Sequence, residues 1–125
     1  ILEKIILKGI ENESIYNLLL QNYLELEKHD LAIITCKRAL DLFDNKIHYL
    51  RNLSDLLLLE SSEEELLSLI NQYVDLFNSE DLIIKKAEIM FKLSNWDSLI
   101  DVYITMAINY IFVIWKKNYN KKKAN

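Results

Sequence analysis

Few side chains in this sequence are able to do chemistry, and their spacing argues against it. His29 and His48 lie several helical turns apart in sequence. An HExxH zinc motif needs two imidazoles one helical turn apart, with a glutamate between, and neither histidine has such a neighbour. Cys36 is the one cysteine, too few for a thiolate zinc site or a disulfide framework. It falls among Ala32, Ala39 and Leu40 at helical spacing, so it reads as a small core hydrophobe. Glu63-Glu64-Glu65 after Ser62 reads as an acidic helix start, with Ser62 and Glu65 as the two arms of a capping box. A single Gly excludes a glycine-built phosphate loop, in which the backbone must approach the phosphates closely. These patterns imply no catalytic residue, no metal and no cofactor. The expectation is that the protein is not an enzyme.

The elements that carry these residues are helical. In 125 residues there is one Gly and no Pro, against 51% hydrophobic and 27% charged residues. That is one domain's worth of core and too little turn chemistry for a β sandwich or a flexible linker. Ile15, Leu18, Leu19, Asn22, Tyr23 and Leu26 mark one helical face. Ala32, Cys36, Ala39, Leu40 and Phe43 mark the next. Leu50, Leu53, Leu56, Leu57 and Leu59 follow, then Leu66, Leu67, Ile70, Val74 and Phe77. Ile83, Ala87, Met90 and Phe91 precede Leu99, Val102, Tyr103 and Met106. Each segment is expected to run about 13 to 16 residues. Asp30 is expected to cap the second helix, and Asn45 to turn left-handed after it. Asn78-Ser79 and Ser94-Asn95 mark later boundaries.

Those helices recur. Ala32, Leu66 and Leu99 each open the second helix of a pair, so the openings repeat at a nearly constant interval. Tyr16, Leu19 and Tyr23 hold large positions in the first unit, and Ala32 and Ala39 hold small ones. Phe91-Lys92-Leu93-Ser94-Asn95-Trp96-Asp97-Ser98 resembles the Tyr-Lys-Leu-Gly-Asp-Tyr-Asp-Glu turn of the tetratricopeptide repeat family. That family's period, about 34 residues, matches the interval between the openings. The resemblance covers Glu13 to Val113. It implies an all-α fold, a right-handed superhelical array of antiparallel helix pairs. The organisation it implies is 1–12 as the end of a preceding helix or a cap, 13–46 as repeat 1 and 47–79 as a degenerate repeat 2. Repeat 3 is then 80–113, with 114–125 as the end of a capping helix and a basic tail. In that scheme Tyr16, Tyr23 and Phe91 fill the holes opposite Ala32, Ala39 and Ala87. Leu20 and Ser54 stand where the family keeps Gly or Ala, and Asp44 and Asn78 where it keeps Pro. The chain is expected to be a piece of a longer array.

The resemblance also implies a concave, protein-binding face on the first helices. Its candidates are Asn17, Gln21, Leu24 and Glu25; then His48, Arg51, Asn52, Asp55 and Leu58; then Asp81, Ile84, Lys85, Glu88 and Lys92. Such a mixed polar surface suits an extended peptide or a helix of another subunit. The family's carboxylate clamp is matched outright only by Asn52, and Asp81 would repel a carboxylate. No binding of acidic chaperone tails is therefore expected.

Charge and the tail complete the reading. The net charge is −4, but Lys116, Lys117, Lys121, Lys122 and Lys123 put +5 into the last ten residues. Nucleic acid is disfavoured except through that tail. Val102–Trp115 is the most apolar stretch. Its fourteen residues make about 21 Å of helix, short of a bilayer core of about 30 Å, so no transmembrane segment is expected. A membrane-surface role is open to it. The favoured reading is a protein contact through Tyr110, Phe112 and Trp115. No secretory leader is apparent at Ile1–Ile10, and the expected location is intracellular, cytoplasmic or nuclear. The leading functional expectation is a scaffold or adaptor within a multiprotein complex. One alternative is a half-a-TPR-type RNA-processing subunit, because Trp115-Lys116-Lys117-Asn118-Tyr119 loosely resembles that motif. Another is a fragment of an all-helical enzyme.

Overall fold

A computed structural model describes residues 12–124. All regular structure among them is helix: α1 (Glu13–Glu25), α2 (His29–Leu42), α3 (Lys46–Glu60), α4 (Glu63–Gln72), α5 (Val74–Phe77), α6 (Ile83–Lys92) and α7 (Trp96–Ala124). The all-α expectation therefore holds among the described residues. The expected cap or preceding helix at 1–12 lies outside them but for Asn12. The chain forms two compact units, 1–69 and 70–125, and the boundary falls inside α4.

Helix ends explain how so glycine-poor a chain reverses direction. Asn12 starts α1, its side-chain oxygen accepting from the amides of Ser14 (2.9 Å) and Ile15 (3.4 Å), as a helix N-cap should. The C-terminal ends of α1, α3 and α6 share one backbone turn. Glu27, Ser61 and Ser94 each adopt a left-handed conformation, with φ of 56°, 56° and 54°. In each, the next amide reaches back to a carbonyl in the preceding turn: Lys28 to Tyr23 (2.9 Å), Ser62 to Leu57 (3.2 Å) and Asn95 to Met90 (3.0 Å). The left-handed residue's own amide bonds a nearer carbonyl, at Leu24, Leu58 and Phe91 respectively. This is the Schellman motif, normally built on glycine because a Cβ disfavours positive φ. The interval from Glu27 to Ser61 is the same as that from Ala32 to Leu66, and the interval from Ser61 to Ser94 the same as that from Leu66 to Leu99. The turns therefore keep the period of the sequence repeat.

Several local expectations change. Lys28, not Asp30, is the N-cap of α2. Asp30 sits in the first turn, where a carboxylate still favours the helix dipole. Asn45 has φ −78° and precedes α3 without a left-handed turn. The helix expected over Leu66 to Phe77 is interrupted at Tyr73 (φ −120°, ψ 44°), leaving a ten-residue α4 and the four-residue α5. Conversely, α7 runs 29 residues through position 114 without a break, because no Gly, Pro or capping pair interrupts it.

In the first unit, α2 packs against both α1 and α3. Ala32, Cys36 and Ala39 on α2 are fully buried, and their small size lets the neighbouring backbones come close. The buried face of α1 is Tyr16, Leu19, Leu20 and Tyr23. Leu18 and Leu26, on the face expected from apolar periodicity, are exposed. On α3 the buried set is Tyr49, Leu50, Leu53, Leu56 and Leu57 together with Ser54, whose hydroxyl has no partner among the described residues. Leu59 is exposed.

In the second unit, α6 packs against α7, and the buried residues there are Leu82, Ile83, Ile89, Met90, Leu99 and Val102, with α5 adding Phe77. Phe91 does not fill a hole opposite Ala87. It is 62% exposed and meets the ring of Trp96 edge-on at 5.8 Å. Met90, one residue earlier, is buried in its place. Val74 and Tyr103 are likewise exposed.

The left-handed turns give a direct test. Replacing Ser94 with Gly removes the Cβ penalty while keeping both turn hydrogen bonds. Urea unfolding should show Ser94→Gly more stable by about 0.5–1 kcal/mol and Ser94→Val less stable than the parent.

Candidate functional site

Two candidate binding residues of the first unit, Asn17 and His48, are linked by one buried tyrosine. Tyr49 is fully buried at the start of α3, yet its hydroxyl reaches α1, where Asn17 Oδ1 (2.8 Å) and Glu13 Oε1 (3.2 Å) are its acceptors. Its ring closes an aromatic row. Tyr16 meets Phe43 edge-on at 5.2 Å, and Phe43 lies 6.4 Å from Tyr49. His48 stacks edge-on against Tyr49 at 5.1 Å and is itself exposed. The result ties α1 to α3, so that Asn17 and His48 flank the same tyrosine. Sequence reasoning passes over Tyr49; the available signal is its place one repeat period after Tyr16.

Around that tie the expected residues keep mostly to the surface. Asn17, Gln21, Glu25, His48, Arg51 and Asp55 are exposed, while Leu24, Asn52 and Leu58 are half-buried. Some of their polar atoms are already engaged. Asn17 accepts from Tyr49, and Gln21 donates to Glu25 at 3.4 Å. Asn52 donates to the His48 carbonyl one turn back at 2.9 Å. The best-matched clamp residue thus has a side-chain N–H turned onto its own helix.

The second unit holds the remaining candidates on or beside α6. Asp81 lies in the turn before it, and Ile84, Glu88 and Lys92 are exposed. Lys85 is paired with Glu88 at 2.8 Å. This is an i,i+3 pair on one helix face, worth a few tenths of a kcal/mol and dependent on salt. Tyr110, Phe112 and Trp115 are all exposed on α7.

A shallow depression of about 460 Å³ is lined by Glu27, Lys28, His29, Asp30, Leu31 and Glu60. It gathers a histidine and three carboxylates, the residue types of acid–base chemistry. They are exposed or half-buried, so water is not excluded from them. No group of three or more His, Cys, Asp or Glu could hold a metal ion among the described residues. Cys36 is fully buried, and burial pushes its thiol from 9.0 up to about 12. A protonated, enclosed thiol is a poor nucleophile.

The buried thiol and phenol set the alkaline limit of stability. Tyr49 is held well above its ordinary value, first by burial and then by the Glu13 carboxylate beside its hydroxyl. Both groups are raised in the folded state. Their contribution to folding is therefore fully present below about pH 9 and is lost as pH climbs toward 12. The urea midpoint should fall steadily above pH 9. Cys36→Ala should flatten the first part of that fall, and Tyr49→Phe the later part.

No family model matches the chain, and no curated protein or solved structure matches it.

Proposed function

We propose that this chain is a protein-binding module, a scaffold or adaptor built of tetratricopeptide-like helix pairs and working within a larger multiprotein assembly. The observation that carries this reading is the recurrence of one Schellman turn at Glu27, Ser61 and Ser94. A helix pair that ends its first helix in the same way at a fixed interval is the unit from which helical repeat arrays are made. The period of the sequence and the period of the turns agree.

Partner recognition is assigned to the first helices. The Tyr49 tie fixes Asn17 on α1 and His48 on α3, and Gln21, Arg51 and Asp55 are exposed polar residues of the same two helices. On α6 the corresponding residues are Lys85, Glu88 and Lys92. Rigid helices present such side chains at low entropic cost, which suits an extended peptide or a partner helix. A second reading, an RNA-processing subunit, rests on the five lysines at the end of α7, all exposed.

Crosslinking of the purified chain in extracts tests the first reading by position. A photo-crosslinker at Arg51 or Lys92 should capture discrete proteins. His48→Glu with Arg51→Glu should cut capture at the first site at least about tenfold, on the order of 1.4 kcal/mol. The same crosslinker at Arg38 on α2 should capture none of them. Equal capture from all three positions overturns the assignment to first helices. A salt-sensitive RNA shift lost with Lys116–Lys123 would favour the second reading.

A further inference from the structure

The least satisfied surface of the molecule is the outer part of α7. Its first turns bury Leu99 and Val102, with Met106 half-buried. From Ala107 to Lys123 every side chain is exposed. A window of this helix has mean hydropathy 1.6 and is only 11% buried. Apart from Val113 on the opposite side, the exposed apolar residues are not scattered. Ile100, Ile104, Ile108, Ile111 and Trp115 follow one stripe at helical spacing, and Ile114 widens it.

The order of residue types around the helix is informative. Isoleucines fill the centre of this face. Aromatic residues take both of its flanks: Tyr103 and Tyr110 on one side, and Phe112 and Tyr119 on the other, with Trp115 bridging the centre to that second flank. The latter three form a continuous ladder, Phe112 to Trp115 at 6.0 Å and Trp115 to Tyr119 at 5.4 Å, both stacked. Beyond that second flank runs a polar row of Thr105, Asn109, Lys116 and Asn120, while Asp101 sits on the flank itself near the start of the helix. The lysines 116, 117, 121, 122 and 123 then surround the end of the helix.

We propose that the exposed face of α7 lies in the surface of an anionic lipid bilayer. Branched aliphatic side chains reach the acyl boundary, aromatic flanks sit at headgroup level, and the lysine end meets lipid phosphates and carboxylates. Rings at the edges of an apolar face match a water–lipid border. The lysine cluster supplies charge complementarity, and an apolar face with a polybasic cluster makes two membrane signals together. The placement is along the surface. By length and composition alone α7 is also long and apolar enough to cross a membrane, so the order of its side chains has to carry the choice of placement. The exposed rings Tyr103, Tyr110, Phe112, Trp115 and Tyr119 are spread along the helix, whereas a spanning helix gathers its rings at the two membrane borders.

The test uses the full chain carrying Trp96→Phe, which leaves Trp115 as the one indole. It is mixed with vesicles of phosphatidylcholine alone or with phosphatidylserine. Co-sedimentation with the anionic vesicles is expected, weaker by at least about tenfold with neutral ones. Trp115 emission should shift to the blue and be quenched more by bromines near the headgroups than by bromines near the chain ends. Ile104→Asp, Ile108→Asp and Ile111→Asp together should abolish binding. These side chains are exposed, so helicity and the urea midpoint should be retained. Four results overturn the proposal. They are no binding to anionic vesicles at low salt, binding that survives the triple substitution, deepest quenching at the bilayer centre, and self-association or RNA binding lost in the triple variant while vesicles are ignored.

Discussion

The constraint on which the described structure most depends is the left-handed residue that ends the first helix of each pair. A helix can be turned back sharply only if its last carbonyls find donors and one residue accepts positive φ. Glu27, Ser61 and Ser94 accept it here without the freedom of glycine. Each turn costs something locally, on the order of 1 kcal/mol, and is held by two backbone hydrogen bonds, helped at Glu27 and Ser94 by the packing of the helices on either side. In α1–α2 and in α6–α7, the turn delivers the second helix directly onto the first. The exposed polar residues of the first helices, the aromatic row and the free face of α7 all follow from where these reversals fall.

Close approach comes second. Ala32, Cys36 and Ala39 form a seam of small, fully buried residues on α2, and large rings from α1 and α3 gather beside it. This arrangement explains the chemical silence of Cys36. The thiol is a packing element in a dry seam, with its proton held by burial. It also explains why Tyr49 can be buried with a hydroxyl. The group emerges at the α1 edge, where Asn17 and Glu13 accept its proton, so no polar atom of the ring is left dry and unpaired.

Helix content is legible because nothing in the sequence opposes it, and the repeat period is legible because the size pattern survives. What fails is finer. Leu18, Leu19 and Leu20 are consecutive, so apolarity alone does not choose a face of α1. The tyrosines choose it: Tyr16 and Tyr23 go inward with Leu19 and Leu20, and Leu18 stays out. Phe91 falls one position past Met90 and is turned to the surface beside Trp96. The three turns leave almost no residue signal, because Glu and Ser stand where Gly is expected; only their spacing announces them. Among the binding candidates, residue type alone puts most of the polar ones at the surface. It does not show that Asn17, Asn52 and Lys85 spend hydrogen bonds or charge on their own unit.

The two surfaces of the chain differ in kind, and that difference argues for separate tasks. The first-helix faces are polar, half engaged in internal bonds, and rest on closed cores; they lose little by staying in water and gain specificity on meeting a matching partner. The outer half of α7 has the opposite balance. Its isoleucines are exposed turn after turn, and water is their least favourable surrounding. A helix made only to complete a pair could end near Met106, the last of its residues that is even half-buried, yet this one runs 29 residues. The residues beyond that point do not serve the fold of this unit. Their order, isoleucine at the centre, rings at the edges and lysines at the end, is what a boundary between oil and charged water selects. The helix pairs would then recognise a partner while α7 fixes where they do so.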